Sequence, residues 1–126
     1  MKTNKEILLK TKTDKKQFTK WLKALRSDKY SQTTNTLQNK NGYCCLGVAC
    51  KVLIPKDQQK LFGDFLEGCM PIRQSCAPEW LKNINADFAT KSRSGLAIIQ
   101  LNDEKKYTFK EIANRLERVY KKELEA

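Results

Sequence analysis

Histidine is absent from this chain of 126 residues. Its absence excludes His-based catalytic triads, histidine general bases, zincin motifs and every histidine-containing metal site. Glycine occurs five times and proline three times, too rarely for a collagen-like or low-complexity chain. Long apolar runs are missing at the start, where Ile7-Leu8-Leu9 stops at Lys10. That is short of a secretory signal, and no segment approaches the ~20 apolar residues of a membrane span. The expectation is a cytoplasmic protein that does not engage membranes and keeps its cysteines reduced. Glycine-rich phosphate loops, dinucleotide-binding glycine sets and nucleophile elbows are also missing. The carboxylate pairs Asp64/Glu67 and Asp103/Glu104 stand in no recognisable catalytic context. These absences argue against an enzyme and call for no cofactor.

What the chain has in excess is positive charge. Against 14 acidic residues stand 25 Lys and Arg, a net charge of +11, which points to an anionic partner. Residues 1–30 carry +7 of it. Their densest stretch, Lys10 to Lys23, is interrupted at helical spacing by Phe18, Trp21 and Leu22, so it reads as a helix with a solvated basic face. Five cysteines, Cys44, Cys45, Cys50, Cys69 and Cys76, are separated by gaps of zero, four, eighteen and six residues. These are not chelating spacings. The cysteines are expected to pack as small apolar residues and to bind no metal.

The length fits one domain spanning residues 1–126. Residues 5–10 suit a short edge strand. Asp14 followed by Gln17 resembles a capping box opening a helix, whose stripe Phe18, Trp21, Leu22 and Leu25 runs to about Ser27. The polar stretch from Tyr30 to Asn41 predicts a short strand or hairpin. The apolar run Tyr43 to Leu53 predicts a central buried helix with Leu46, Ala49, Cys50 and Leu53 on one stripe. A loop-rich region, with a hairpin around Leu66 to Ile72, separates it from a short helix opening at Pro78-Glu79-Trp80-Leu81. Residues 84–95 read as a polar connection, and Asn102-Asp103 as a turn closing the apolar stretch from Leu96. Thr108 and Glu111 form a capping box for a final helix bearing Phe109, Ile112, Ala113, Leu116, Val119 and Tyr120. The predicted fold is a compact α+β domain: amphipathic N- and C-terminal helices around a central buried helix, with short strands or hairpins.

Three clusters combine a cation with hydrogen-bonding neighbours: Lys40-Asn41-Gly42-Tyr43, Arg73-Gln74-Ser75 and Lys91-Ser92-Arg93-Ser94. The first directly precedes the apolar helix, whose free backbone N–H groups would suit a phosphate. Tyr43 would stack a base beside it. Arg73 and Arg93 can grip phosphate bidentately. The candidate ligand-binding residues are therefore Lys40, Tyr43, Arg73 and Arg93, with Asn102 as a base-edge reader.

Several segments together resemble a known family: Trp21, Ala24-Leu25-Arg26-Ser27, Lys29-Tyr30 and Gln32, then Gly42-Tyr43-Cys44-Cys45-Leu46-Gly47-Val48 and Cys50. Downstream come Leu101-Asn102-Asp103, Phe109 and Glu111-Ile112-Ala113. Over residues 18–120 this pattern is similar to a widespread family of small bacteriophage proteins, with Gly-Tyr-Cys-Cys-Leu-Gly as its specific core. That family often has glycine where Asp28 stands and an acidic residue where Lys51 stands. The resemblance implies phage origin and, in the cytoplasm of an infected host, an anti-defence role as an anti-CBASS-type sponge for cyclic nucleotide signals. The leading expectation is a non-enzymatic homo-oligomer that sequesters a cyclic dinucleotide or other small anionic nucleotide. The alternatives are a DNA- or RNA-binding accessory protein using the basic first helix, and an inhibitor of a host protein.

Overall fold

The computed structural model describes residues 7–33, 38–39, 42–54, 78–92, 95–105 and 107–126. Helices dominate. In chain order they are α1 (Lys12–Arg26), α2 (Cys45–Leu53), α3 (Glu79–Lys91), α4 (Ile98–Asp103) and α5 (Phe109–Glu125). The β content among the described residues is one antiparallel pair, β1 (Gln38–Asn39) with β2 (Gly42–Tyr43), and a parallel bridge between Gln32 and Tyr43. The expected α+β fold thus reduces to a helical domain with a minimal hairpin. The expected strand over 5–10 does not form in its described part: residues 7–10 belong to no strand, and Leu8 is at a bend. The second expected hairpin, around Leu66 to Ile72, lies outside the described residues.

Helix α1 begins three residues earlier than Asp14 suggests. Thr11 is its N-cap, accepting from the Asp14 N–H at 3.0 Å, while the Asp14 carboxylate accepts from the Thr11 N–H at 3.2 Å. Asp14 is therefore the third residue of the capping box, not the first. The stripe Phe18, Trp21, Leu22 and Leu25 is buried as expected. At the other end Asp28 takes a left-handed φ of 66°. Glycine is the residue that adopts this conformation most easily.

Both α2 and α5 pack against α1, α3 lies on α4 and α5, and α4 touches α2 and α5. The Phe18 ring sits at the junction, edge-on to Trp21, Trp80 and Tyr120 at 5.8, 5.6 and 5.4 Å. Such aromatic contacts add to the area they bury. Helix α2 is buried through most of its length, including Cys45, Leu46, Val48 and Ala49. Cys44, Cys45 and Cys50 are free thiols packed into this core. Cys69 and Cys76 lie outside the described residues.

Two segments differ from the sequence expectation. The short helix at Pro78 continues for 13 residues to Lys91, because Trp80, Leu81, Ile84 and Phe88 all bury. The polar residues between them occupy its outer side, so the expected connection over 84–95 is mostly helix. Asn102 and Asp103, expected as a turn, close helix α4.

Candidate anion-binding surface

Of the five expected ligand-binding residues, Lys40, Arg73 and Arg93 lie outside the described residues. Tyr43 is half-buried in β2. Its backbone N–H donates to the Ser31 carbonyl and its carbonyl accepts from the Thr33 N–H, both at 2.8 Å. Its ring stands edge-on to Tyr30 at 5.5 Å. Gly42, just before it, has a φ of 148°, and a Cβ there would overlap the Ser31 carbonyl oxygen. Glycine at this point permits the two backbones to meet.

Asn102 is fully buried, and all four hydrogen-bonding positions of its amide are occupied by protein groups. Oδ1 accepts from Gln32 Nε2 at 2.9 Å and from the Cys45 N–H at 3.3 Å. Nδ2 donates to the Thr33 carbonyl at 2.9 Å and to Asp103 Oδ1 at 2.8 Å. In this conformation Asn102 presents no edge to a base. The start of α2 is likewise closed, since the Gly47 N–H donates to Cys44 Sγ at 3.4 Å and the Cys45 N–H is held by Asn102. A phosphate there would have to displace buried protein partners. Trp21 Nε1 adds a bond to the Cys45 carbonyl at 2.9 Å. The Gly-Tyr-Cys-Cys-Leu-Gly run is thus where the 31–33 segment, α1, α2 and α4 are tied together.

Lys91, from the third expected cluster, is also engaged. Its Nζ lies 2.9 Å from Asp87 Oδ2 and 2.8 Å from Glu123 Oε2. Tyr120 donates its hydroxyl to Asp87 at 2.7 Å. Glu123 Oε1 accepts the Leu8 and Leu9 N–H groups at 2.7 and 2.9 Å. One cluster therefore fastens the N-terminal segment to α3 and α5. Burial pulls the Lys91 ammonium down, but its hydrogen bonds to the Glu123 and Asp87 carboxylates outweigh it and raise the group above 10.5. Burial, then the bond to Asp87, raises the Tyr120 hydroxyl above its ordinary 10.0. Burial, then Cys44 and Asp103, raises the Cys45 thiol well above 9.0.

The three shifts act in one direction. In each case the folded protein holds a proton that the unfolded chain releases, so the stabilisation is complete below the unfolded value and fades as pH rises past it. Thermal midpoints should be level between about pH 7 and 8 and should fall progressively from about pH 9 upward. A midpoint unchanged to pH 11 on a differential scanning trace would contradict the arrangement.

The described residues collect unpaired positive charge elsewhere, on α1 and α5. These helices run antiparallel, since Lys15 reaches the carbonyl of Ala126 while Arg26 bonds Glu117 at 2.7 Å and Asn114 at 2.8 Å. Lys12, Lys16, Lys20 and Lys23 are exposed along one side of α1. None has an acidic partner among the described residues. Lys15, Lys16, Lys20 and Lys23 line a groove of about 420 Å³ whose far side is Leu124 of α5. Leu124 also borders a second depression, where Arg118 and Lys121 stand beside Glu117 and Glu125. Arg118 then borders a third, which reaches Lys122 and Lys91. Among the described residues, the charges lining the lysine groove on α1 are all cations, whereas the two depressions on α5 carry charges of both signs.

Residues 13–67 are similar to a family described as a domain of unknown function, DUF8296. The match takes in α1, the hairpin and α2. No curated protein and no solved structure matches the chain. Among the described residues no helix is long and apolar enough to cross a membrane.

Proposed function

We propose that this is a non-catalytic phage accessory protein that docks on the phosphate backbone of nucleic acid through α1. The observation carrying this reading is the exposed stripe Lys12, Lys16, Lys20 and Lys23 without acidic partners among the described residues. Eleven residues of helix place its ends about 16 Å apart, a span over which duplex DNA offers several phosphates. Exposed lysines without acidic partners repel one another, a cost to the free protein that a polyanion relieves.

The test is anisotropy of a labelled duplex across a salt series. Binding should weaken steeply between about 50 and 200 mM salt, with a log–log slope of roughly −0.9 per phosphate contacted. The triple variant Lys16→Gln/Lys20→Gln/Lys23→Gln should lose tenfold or more in affinity and flatten that slope by about 2–3. Affinity independent of salt, or unaffected in the triple variant, would remove α1 as the docking element.

A cyclic dinucleotide sequestered without turnover by a symmetric homo-oligomer is the second reading. The half-exposed Tyr30–Tyr43 ring pair beside the hairpin favours it, because a ring face there can stack a base. Calorimetry should then show a fixed stoichiometry and recovery of intact ligand after heat denaturation, and Tyr43→Ala should weaken binding about tenfold.

A further inference from the structure

We propose that α1 lies along the phosphates of a double strand of any sequence, outside its grooves, and takes a duplex in preference to a single strand. This rests on the nucleic-acid reading above and names the class of polymer that the lysine face accepts. The support is the way α1 is set into the fold. Its inner face buries Phe18, Trp21, Leu22 and Leu25. On one flank lies α5, where Lys15 reaches the Ala126 carbonyl and Arg26 is held by Glu117 and Asn114. On the opposite flank Gln17 accepts the Trp80 Nε1–H of α3 at 3.0 Å. What stays exposed between Lys12 and Lys23 is a strip of Lys12, Thr13, Lys16, Thr19, Lys20 and Lys23. At 3.6 residues per turn it covers about a third of the helix circumference.

A recognition helix must project into the major groove, which is about 12 Å wide and about 8.5 Å deep. A helix of about 10 Å diameter with its own protein on both flanks cannot sink that far, so base edges stay beyond its reach. The residues of α1 suited to reading a base with fixed geometry, Gln17 and Arg26, are the ones turned to those flanks. The strip offers lysines, whose rotatable ammonium groups meet phosphate oxygens in many geometries, and two shorter threonines.

Single strands are held differently, on aromatic side chains that stack the bases. The described lining of the lysine groove holds no aromatic ring, and Phe18 and Trp21 are fully buried on the far side of α1. A duplex also carries one charge per about 1.7 Å of axis, about twice the density of either strand alone. Lysines spread along a straight helix therefore gain most from the duplex.

The test is competition against a labelled duplex at fixed salt. The competitors are a duplex of unrelated sequence, a duplex whose cytosines carry a bulky C5 substituent filling the major groove, and one strand of the probe alone. Both duplexes should compete within about threefold of the probe, since one base-reading side chain would separate sequences by roughly fivefold or more. The single strand should fall outside that margin, on the weak side. Lys16→Gln/Lys20→Gln/Lys23→Gln should weaken every duplex by the same factor. A wider sequence preference, a loss of affinity for the substituted duplex, or a single strand inside the margin would overturn the inference. If the triple variant still loses affinity in those cases, the nucleic-acid reading stands. Binding of no polymer, or binding that the triple variant keeps in full, overturns both.

Discussion

Replacing Asn102 by leucine should destabilise the protein by about 3–5 kcal/mol and lower its thermal midpoint by roughly 10 °C or more. Leucine is close in size, so packing changes little, but every hydrogen bond of the amide is lost. The Cys45 N–H sits at the buried start of α2 and would be left without its partner. Gln32 Nε2 loses one acceptor but keeps the Tyr107 carbonyl at 2.7 Å, and the Thr33 carbonyl loses the Asn102 amide; both residues lie nearer solvent and recover part of the loss from water. Each unsatisfied buried group costs about 1–3 kcal/mol. Asn102→Asp should also be harmful, because a carboxylate would face Asp103 Oδ1 at the position where Nδ2 now donates. Scanning calorimetry reads both variants. A midpoint within a few degrees of the parent would show that the knot contributes little.

Val48→Asp should prevent stable folding altogether. Val48 is 0% exposed, and its neighbour Leu46 is 1% exposed. A carboxylate at either position must be stripped of water, and the described core around it consists of leucines, aromatics, thiols and other apolar side chains. The cost is at least several kcal/mol, comparable with the whole stability of a domain this size. Aggregated protein, or a far-ultraviolet dichroism spectrum without helix, is the expected result. A soluble variant with parental helix content and melting behaviour would refute the burial of α2.

Much of the helical framework is legible in the residues because helix formation depends on neighbours three and four positions apart. The stripe on α1, the Thr108/Glu111 capping box of α5 and the apolar run of α2 are local signals, and the corresponding helices form. The start of helix α3 is legible at Pro78, but its continuation to Lys91 escaped for a related reason. Its apolar residues Trp80, Leu81, Ile84 and Phe88 are separated by Lys82, Asn83, Asn85, Ala86 and Asp87, and a stripe this narrow is lost among its polar neighbours. The start of α1 was displaced by a rival signal, since Asp14 suits an N-cap as well as the third position of a capping box that begins at Thr11.

The candidate site was less legible. A loop cation next to hydrogen-bonding residues describes Lys91 and Lys40 equally well, yet Lys91 meets Glu123 from 32 positions away and is neutralised. Nothing near Lys91 in the chain announces that partner. Asn102 is the same case: a residue suited to a turn or a base edge is occupied by groups 69, 70 and 57 positions distant.

By itself the sequence determined the absence of histidine chemistry, the +11 charge, the basic stripe of α1 and the apolar faces that bury. These follow from composition and short-range periodicity, which no tertiary contact alters. Only the tertiary structure decided which polar residues remain available to a ligand. The availability of a charge or an amide depends on what lies within about 3 Å of it, and in a folded chain those neighbours are drawn from anywhere along its length. Folding closed Asn102 and Lys91 against such distant partners, and it left Lys12, Lys16, Lys20 and Lys23 exposed.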